Sequence, residues 1–390
     1  MRRPLSRPLV RPAALAAAGS LLVLSACADG GDSSSDPSST GTAVTPSATE
    51  PTTGTASPTA TPPRTPQTDG DVTTGLDAPW DVAFMPDGAA IVPERDSGLV
   101  RIVYPDGLTI DAGEFPEADG EDEAGLLGVA VSPDFGSDRA LYFYLTTAED
   151  NRVVRRVLTE DGTLGEQSDV LTGIPSSNRH DGGRVVFGPD GLLYVSTGDA
   201  GEASLAQDPD SLAGKILRIT PDGQPAPDNP DPGSPVYSLG HRNVQGLAFD
   251  PEGRLWASEF GNQAFDELNL IEAGGNYGWP EVEGAGGEGS GFVDPVATWA
   301  PSEASPSGLA YAEGSLWMAS LRGQRLWRID LDPAAGAVSG EPTAFLTEEY
   351  GRLRQVTPAP DGTLWLLTNN TDGRVEPRDG DDRIVRLTLG

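Results

Sequence analysis

From about Asp71 onward, the apolar residues fall in short runs bounded by glycine, proline or aspartate. Pairs of runs flank a Pro-Asp-Gly type turn: DVAFMPDGAAIV, GVAVSPDFGSDRALYFY, RVVFGPDGLLYVS, GLAFDPEGRLWAS, GLAYAEGSLWMAS and QVTPAPDGTLWLL. Proline presets φ at the first corner and glycine accepts positive φ at the exit, so each pair predicts a β-hairpin. Further strands follow in most cases: GLVRIV, KILRIT, ELNLIE, QRLWRID and DRIVRL. The hairpins recur about every 47 to 62 residues, too widely for a sandwich of evenly spaced strands. That interval matches the blade period of a β-propeller, in which small sheets pack radially around a channel. Long stretches with a helical period are absent. The pattern predicts an all-β fold, a six-bladed β-propeller of four-stranded antiparallel blades. DVTTGL and DRIVRLTL are both candidates for the strand that closes the ring.

The first 70 residues follow different rules. Residues 1–27 carry a basic start, an apolar run from about Ala13 to Val23, and then LSAC. The run is short for a membrane span and has the flanks of a signal peptide. Leu24-Ser25-Ala26-Cys27 resembles the lipobox of bacterial lipoproteins, in which the cysteine is lipidated and becomes the mature N-terminus. This reading predicts export and a lipid anchor on Cys27 at the outer face of the cell membrane. The alternative is a plain secretory leader with an incidental cysteine. Residues 28–70 are Ser, Thr, Pro, Gly and Ala with almost no large apolar side chain. Such a composition cannot bury enough surface to offset the entropy of ordering, and reads as a tether. Residues 71–390 are left for the propeller.

Charge narrows the partners. Without Arg2, Arg3, Arg7 and Arg11 of the leader, 22 basic residues face 59 acidic ones, a net charge of about −37. Nucleic acid is a poor partner for that surface, because phosphate contacts need clustered cations. Lys215 is the only lysine, so nearly every cation is a guanidinium. Cys27 is the only cysteine, which rules out a disulfide within the chain.

Against this background, a few polar clusters stand out beside the hairpins. His180, one of two histidines, precedes Asp181-Gly182-Gly183-Arg184 and an inner strand. A neutral imidazole there suits a general base, with Asp199 in YVSTGDAG as the carboxylate that fixes its tautomer. A structural histidine bonded to a turn carbonyl remains the other reading. His241-Arg242-Asn243 precedes the next hairpin and should lie at the same mouth. Arg322 follows the fifth hairpin, and Arg352 and Arg354 alternate before the sixth, which sends both to one side of a strand. Gathered together, these guanidiniums suit a small molecule with several carboxylates. In SEFGNQAFDELNLIEAGGNYGWP, Asp266, Glu267 and glycine-rich turns offer hard oxygen ligands of the kind calcium prefers. The run EADGEDE reads as solvated loop, and Trp279 and Trp299 as packed residues or sugar-stacking platforms.

Taken in order, GLLGVAVSPDF, HDGGRVVFGPDG, LYVSTGDAG, GKILRITPDG, GHRNVQGLAFDPEG, DELNLIEAGGNYGWP and the RLR strand resemble the soluble quinoprotein sugar dehydrogenases. These are the PQQ-dependent aldose sugar dehydrogenases and the related soluble glucose dehydrogenase. The resemblance runs from roughly Thr73 to Leu389 and implies a six-bladed propeller that uses PQQ and calcium. It implies that His180 is the catalytic base, supported by Asp199. Arg242 and Asn243 would contact the cofactor near its quinone oxygens, and Arg352, Arg354 and Arg322 its carboxylates. The carbonyls of Gly261 and Asn262 would hold one calcium; Glu267 and the carbonyl of Tyr277 would hold a second. The implied reaction oxidises an aldose at C1 to the aldonolactone, with electrons passed to an external acceptor. Several positions depart from the family pattern. Glu123 stands where a glutamine is common and Arg322 where glucose dehydrogenases carry a lysine. Asn262 replaces a common proline, and Arg179 replaces an acidic residue. Two other functions fit a propeller: a calcium-dependent lactonase or esterase, and a non-catalytic surface-tethered binding module.

Overall fold

The computed structural model describes residues 64–287 and 289–390, so Cys27, the leader and the tether up to residue 63 lie outside the described residues. Among the described residues, no helix is long and apolar enough to cross a membrane.

Six antiparallel sheets form a six-bladed β-propeller. The inner strands are Ala83–Phe84, Leu126–Val131, Val185–Phe187, Val244–Phe249, Pro306–Ala312 and Leu353–Pro358. Each leads through its Pro-Asp-Gly type turn into the second strand of its blade. In four of these turns the glycine N–H closes the corner on the carbonyl three residues back: Gly88, Gly191, Gly253 and Gly362. All four have φ between 76° and 89°, a region that glycine enters without steric cost. Five blades have four strands. In the fifth, Ala337–Val338 and Thr343–Phe345 both pair with Arg325–Asp332, one toward each end.

Both candidate closing segments take part in the closure. Arg383–Leu389 is the third strand of the last blade, and the N-terminal strand Pro66–Thr74 pairs outside it, from Pro66 opposite Leu389 to Thr74 opposite Arg383. The two ends of the propeller domain therefore share one sheet, and no blade is left with an open seam. This strand starts ahead of Asp71, where the polar composition had masked it: PQTDGDVTT buries only Pro66 and Val72.

The second strands carry the large buried side chains. Trp256, Trp317 and Trp365 occupy equivalent places in three blades and are at most 1% exposed. Each fills the wedge between neighbouring blades, where burial of an aromatic side chain contributes most. Along the axis, polar side chains close the channel. Asp81 accepts the Val129 N–H at 3.0 Å and the Gln355 amide at 2.8 Å, and it pairs with Arg184. Arg184 donates to the Gln245 carbonyl at 3.0 Å, and the Gln245 side chain accepts from Arg354 at 2.8 Å and Ser307 at 3.2 Å. One residue or more from every blade joins this belt, which forms the floor of the cavity described next.

Candidate active site

Residues just before all six inner strands meet at one mouth of the channel. They enclose a cavity of about 300 Å³ whose walls include His180, Arg242, Arg322, Arg352, Arg354 and Arg374. Five guanidiniums thus face two carboxylates, Glu123 and Asp266, in a chain where acids outnumber bases overall.

His180 is held tightly. Its backbone is left-handed, with φ of 59°, and its carbonyl lies so close to Gly198 that any Cβ there would collide with it. Its N–H donates to Glu123 at 2.8 Å, and its carbonyl accepts from Ala200 at 3.1 Å. Nδ1 is 2.7 Å from Asp199 Oδ1, and Nε2 has no hydrogen-bond partner among the described residues. Asp199 also accepts from the Gly201 N–H at 2.8 Å and the Trp279 indole N–H at 2.9 Å. Burial disfavours the Asp199 anion, but the His180 ring and these two donors outweigh it and bring the carboxyl below its usual range. An ionised Asp199 takes the Nδ1 proton as a hydrogen bond and presents the Nε2 lone pair to the cavity.

The arginines differ in how far they are committed. Arg352 donates to Asp372 at 2.9 Å and to the Asn369 carbonyl at 3.2 Å. Among the described residues Arg354 has no carboxylate partner; it binds Asn369, Gln245 and Ser307 and packs over the Trp80 ring, 5.4 Å from its centroid. Burial, then the charge of Arg95, holds Arg354 well below the usual guanidinium range. Arg242 lies over Trp279 and donates to the Phe260 carbonyl, while its buried Nε has no partner among the described residues. Arg322 is exposed at the rim. A buried guanidinium with spare donors costs free energy unless an anion joins it, so the cavity fits a ligand with several carboxylates.

Other expected residues stand behind the wall. Asn243 is fully buried and does not line the cavity: its oxygen accepts the Gly182 N–H at 3.0 Å and its amide reaches Glu123 at 3.4 Å. His241, expected at the mouth, is a core residue. Its ring stacks on Tyr277 and is bonded to Ser238 and Glu259. Trp299 packs against Trp327, and Trp279 is engaged by Asp199 and Arg242. Glu123 lies in the wall, paired with backbone and amide donors, whereas the rest of EADGEDE is mostly exposed.

Gly261 and Asn262 line the cavity, and neither carbonyl accepts a hydrogen bond among the described residues. The reason is Glu283, which sequence reasoning missed. Its Oε1 accepts the N–H groups of Asn262, Gln263, Ala264 and Phe265 at 2.7 to 3.1 Å. With its donors spent on that oxygen, the loop keeps carbonyl oxygens for a hard cation. Glu267 lies nearby with Tyr277 at a separate void of about 10 Å³, and accepts from Gly284 and Asn269. Among the described residues, no three His, Cys, Asp or Glu side chains are grouped to hold a metal, so a cation here would depend on carbonyls.

Comparison with known proteins places this arrangement. The profile of the family described as Glucose / Sorbosone dehydrogenase matches residues 76–377. Aldose sugar dehydrogenase YliI of Escherichia coli K12 is 32% identical over 78% of this chain and 91% of its own length. Quinoprotein glucose dehydrogenase B of Acinetobacter calcoaceticus is 29% identical, over 79% of this chain and 86% of its own. The PQQ-bound aldose sugar dehydrogenase of Streptomyces coelicolor superposes with a TM-score of 0.82 at 54% identity, covering 84% of this chain and 98% of that one. On sequence and fold together, the chain belongs to the glucose/sorbosone dehydrogenase family.

Proposed function

We propose that the protein is a PQQ- and calcium-dependent dehydrogenase that oxidises aldose sugars at C1 to aldonolactones and passes the electrons to an external acceptor. The observation that carries this reading is the convergence of five guanidiniums on a cavity lined by His180, whose ring is held from behind by Asp199. Arg242, Arg322, Arg352 and Arg354 are the residues suited to the carboxylates of PQQ. The Gly261 and Asn262 carbonyls suit a calcium ion beside it, and Glu267 with the Tyr277 carbonyl suits a second. When bound, PQQ supplies the two-electron oxidant and calcium a Lewis acid.

The chain's own residues do the rest. His180 Nε2 accepts the proton of the anomeric hydroxyl, and Asp199 stabilises the imidazolium that forms. Loss of that proton and of the C1 hydrogen with its electron pair leaves a C1 carbonyl, the lactone. Arg242, over Trp279 and backed by Glu259 through its own N–H, provides positive charge where negative charge develops. Glu123 fixes the His180 backbone, and Asn243 fixes Glu123 and Gly182 in turn. The lipobox reading extends the proposal: export, and a lipid anchor on Cys27, with the Ser/Thr/Pro-rich segment that follows it as the tether.

The test is reconstitution. Purified domain with PQQ and Ca²⁺ should reduce an artificial dye in the presence of aldoses, and His180→Ala should abolish turnover while PQQ still binds with its absorbance change. PQQ binding without turnover on any aldose would assign the domain a binding role instead.

A further inference from the structure

A second cavity, of about 470 Å³, adjoins the first and shares Glu123 and Arg374 with it. Its size is in the range of small-molecule pockets. It opens beside His180, between the loop 177–179 and the loop at Ala200 and Gly201. Three non-glycine residues here have left-handed backbones, Asp122 at φ 57°, His180 at 59° and Ala200 at 52°. Strained conformations of this kind persist where the surrounding structure holds them in place, often at ligand sites.

The cavity wall carries two carboxylates and two guanidiniums, and they are unequally satisfied. Asp122 accepts from the Asn178 amide at 3.1 Å, and Glu123 from the His180 N–H and the Asn243 amide. Among the described residues, the Arg179 side chain makes no hydrogen bond or ion pair. Arg374 comes no closer than 3.8 Å to Glu123 and 3.7 Å to Asp372, beyond hydrogen-bond length. Elsewhere in this acid-rich chain Arg152, Arg218, Arg254 and Arg383 each hold a carboxylate at 3.1 Å or less. Arg179, exposed and without a side-chain partner among the described residues, and Arg374, held only by long ion pairs to Glu123 and Asp372, face one cavity and match a planar anion that can accept two parallel N–H bonds.

We infer that this cavity is a substrate subsite for an acidic sugar, with Arg179 reading a carboxylate and Arg374 assisting from the wall shared with the first cavity. The substrate class is an aldose, or a short saccharide, that bears a uronate carboxylate. The inference rests on the proposed C1 oxidation: His180 lines the first cavity, and a sugar whose carboxylate lies at Arg179 would reach it across the wall of Glu123 and Arg374 that the two cavities share. The carboxylate is bound and does not react.

The experiment compares glucuronate with glucose on the loaded enzyme. The wild type should favour glucuronate in kcat/KM. Arg179→Gln should lower the glucuronate-to-glucose ratio about tenfold, mainly through KM, and Arg179→Lys, which keeps the charge and loses the fork, should fall between. Isothermal titration with methyl β-glucuronide, which has no free anomeric hydroxyl to oxidise, reads the subsite without turnover. Binding should exceed that of methyl β-glucoside and weaken in Arg179→Gln. Equal binding of the two glycosides, or a ratio untouched by Arg179→Gln, overturns the subsite. If titration supports the subsite but no aldose is oxidised, the oxidation reading fails and the acidic-sugar site stands.

Discussion

Replacing Asp199 with asparagine isolates the part of the site that depends on charge and tautomer. The carboxylate accepts three donors: His180 Nδ1 at 2.7 Å, the Gly201 N–H at 2.8 Å and the Trp279 indole N–H at 2.9 Å. An amide of the same shape has one accepting oxygen and one donating nitrogen. If the oxygen faces His180, the NH₂ group meets the Trp279 N–H, and one buried hydrogen bond is lost. If the oxygen faces Trp279, the NH₂ group meets the Gly201 N–H and His180 Nδ1. The imidazole must then carry its proton on Nε2 and cannot act as a base. Either arrangement removes the anion opposite the imidazolium. A hydrogen bond to a charged group contributes about 1.5–3 kcal/mol, and an orphaned donor costs about 1–3 kcal/mol more. A barrier increase of about 2–4 kcal/mol corresponds to roughly 30- to 1,000-fold in kcat. Because Asp199 does not line the cavity, PQQ affinity should change little. Dye-coupled turnover at saturating aldose, alongside a PQQ absorbance titration, measures both quantities. A kcat within threefold of the wild type would refute the assignment of His180 and Asp199 as base and orienter.

Three further outcomes follow from other parts of the molecule. Glu283→Gln turns an anion that holds four N–H groups into a neutral acceptor of about half the strength, so Ca²⁺ affinity measured by calorimetry should fall about 10- to 100-fold; unchanged affinity would show that the 261–265 loop keeps its shape without the charge. Val72→Asp places an unpaired charge in the closing strand, where Val72 packs with Trp365 and Ile384, and should lower the urea-unfolding free energy by about 2–4 kcal/mol. Asp181 is pushed up to about 6 by burial, so the folded state holds its proton more tightly than the unfolded chain. Its stabilising contribution is full below about pH 4 and is lost as pH rises through about 6. Asp181→Asn should accordingly flatten the decline in melting temperature over that range, and an unaltered slope would assign the pH dependence to other groups.

Local chemistry made the blades readable. A Pro-Asp-Gly corner between two apolar runs specifies a hairpin wherever it occurs, and its recurrence specifies a propeller. The same locality made parts of the site readable: Arg352, just ahead of an inner strand, and Arg354, within it, do line one cavity, and His180 and Asp199 sit at the two ends of one hairpin and do meet. The outer strand PQTDGDVTT was only half visible, because its polar face toward solvent hides the two residues it buries. Its partner Arg383–Leu389 comes from the far end of the chain.

The sequence by itself determined the fold class, the blade count and the supply of arginine, imidazole and carboxylate at the strand ends. Only the tertiary structure decided which of those groups face the cavity and which stand behind it. His241 and Asn243 flank Arg242 in one motif, yet they point to the core and to Gly182, while Arg242 points inward. Glu283 gained its role from a loop some twenty residues away, and Asp81 and Arg184 meet across the channel. The reason is geometric: most strands pair with the strand next in sequence through a short turn, whereas the direction of a side chain in a turn, like the pairing of the closing strand with Arg383–Leu389, is set by contacts that exist only once the ring has closed.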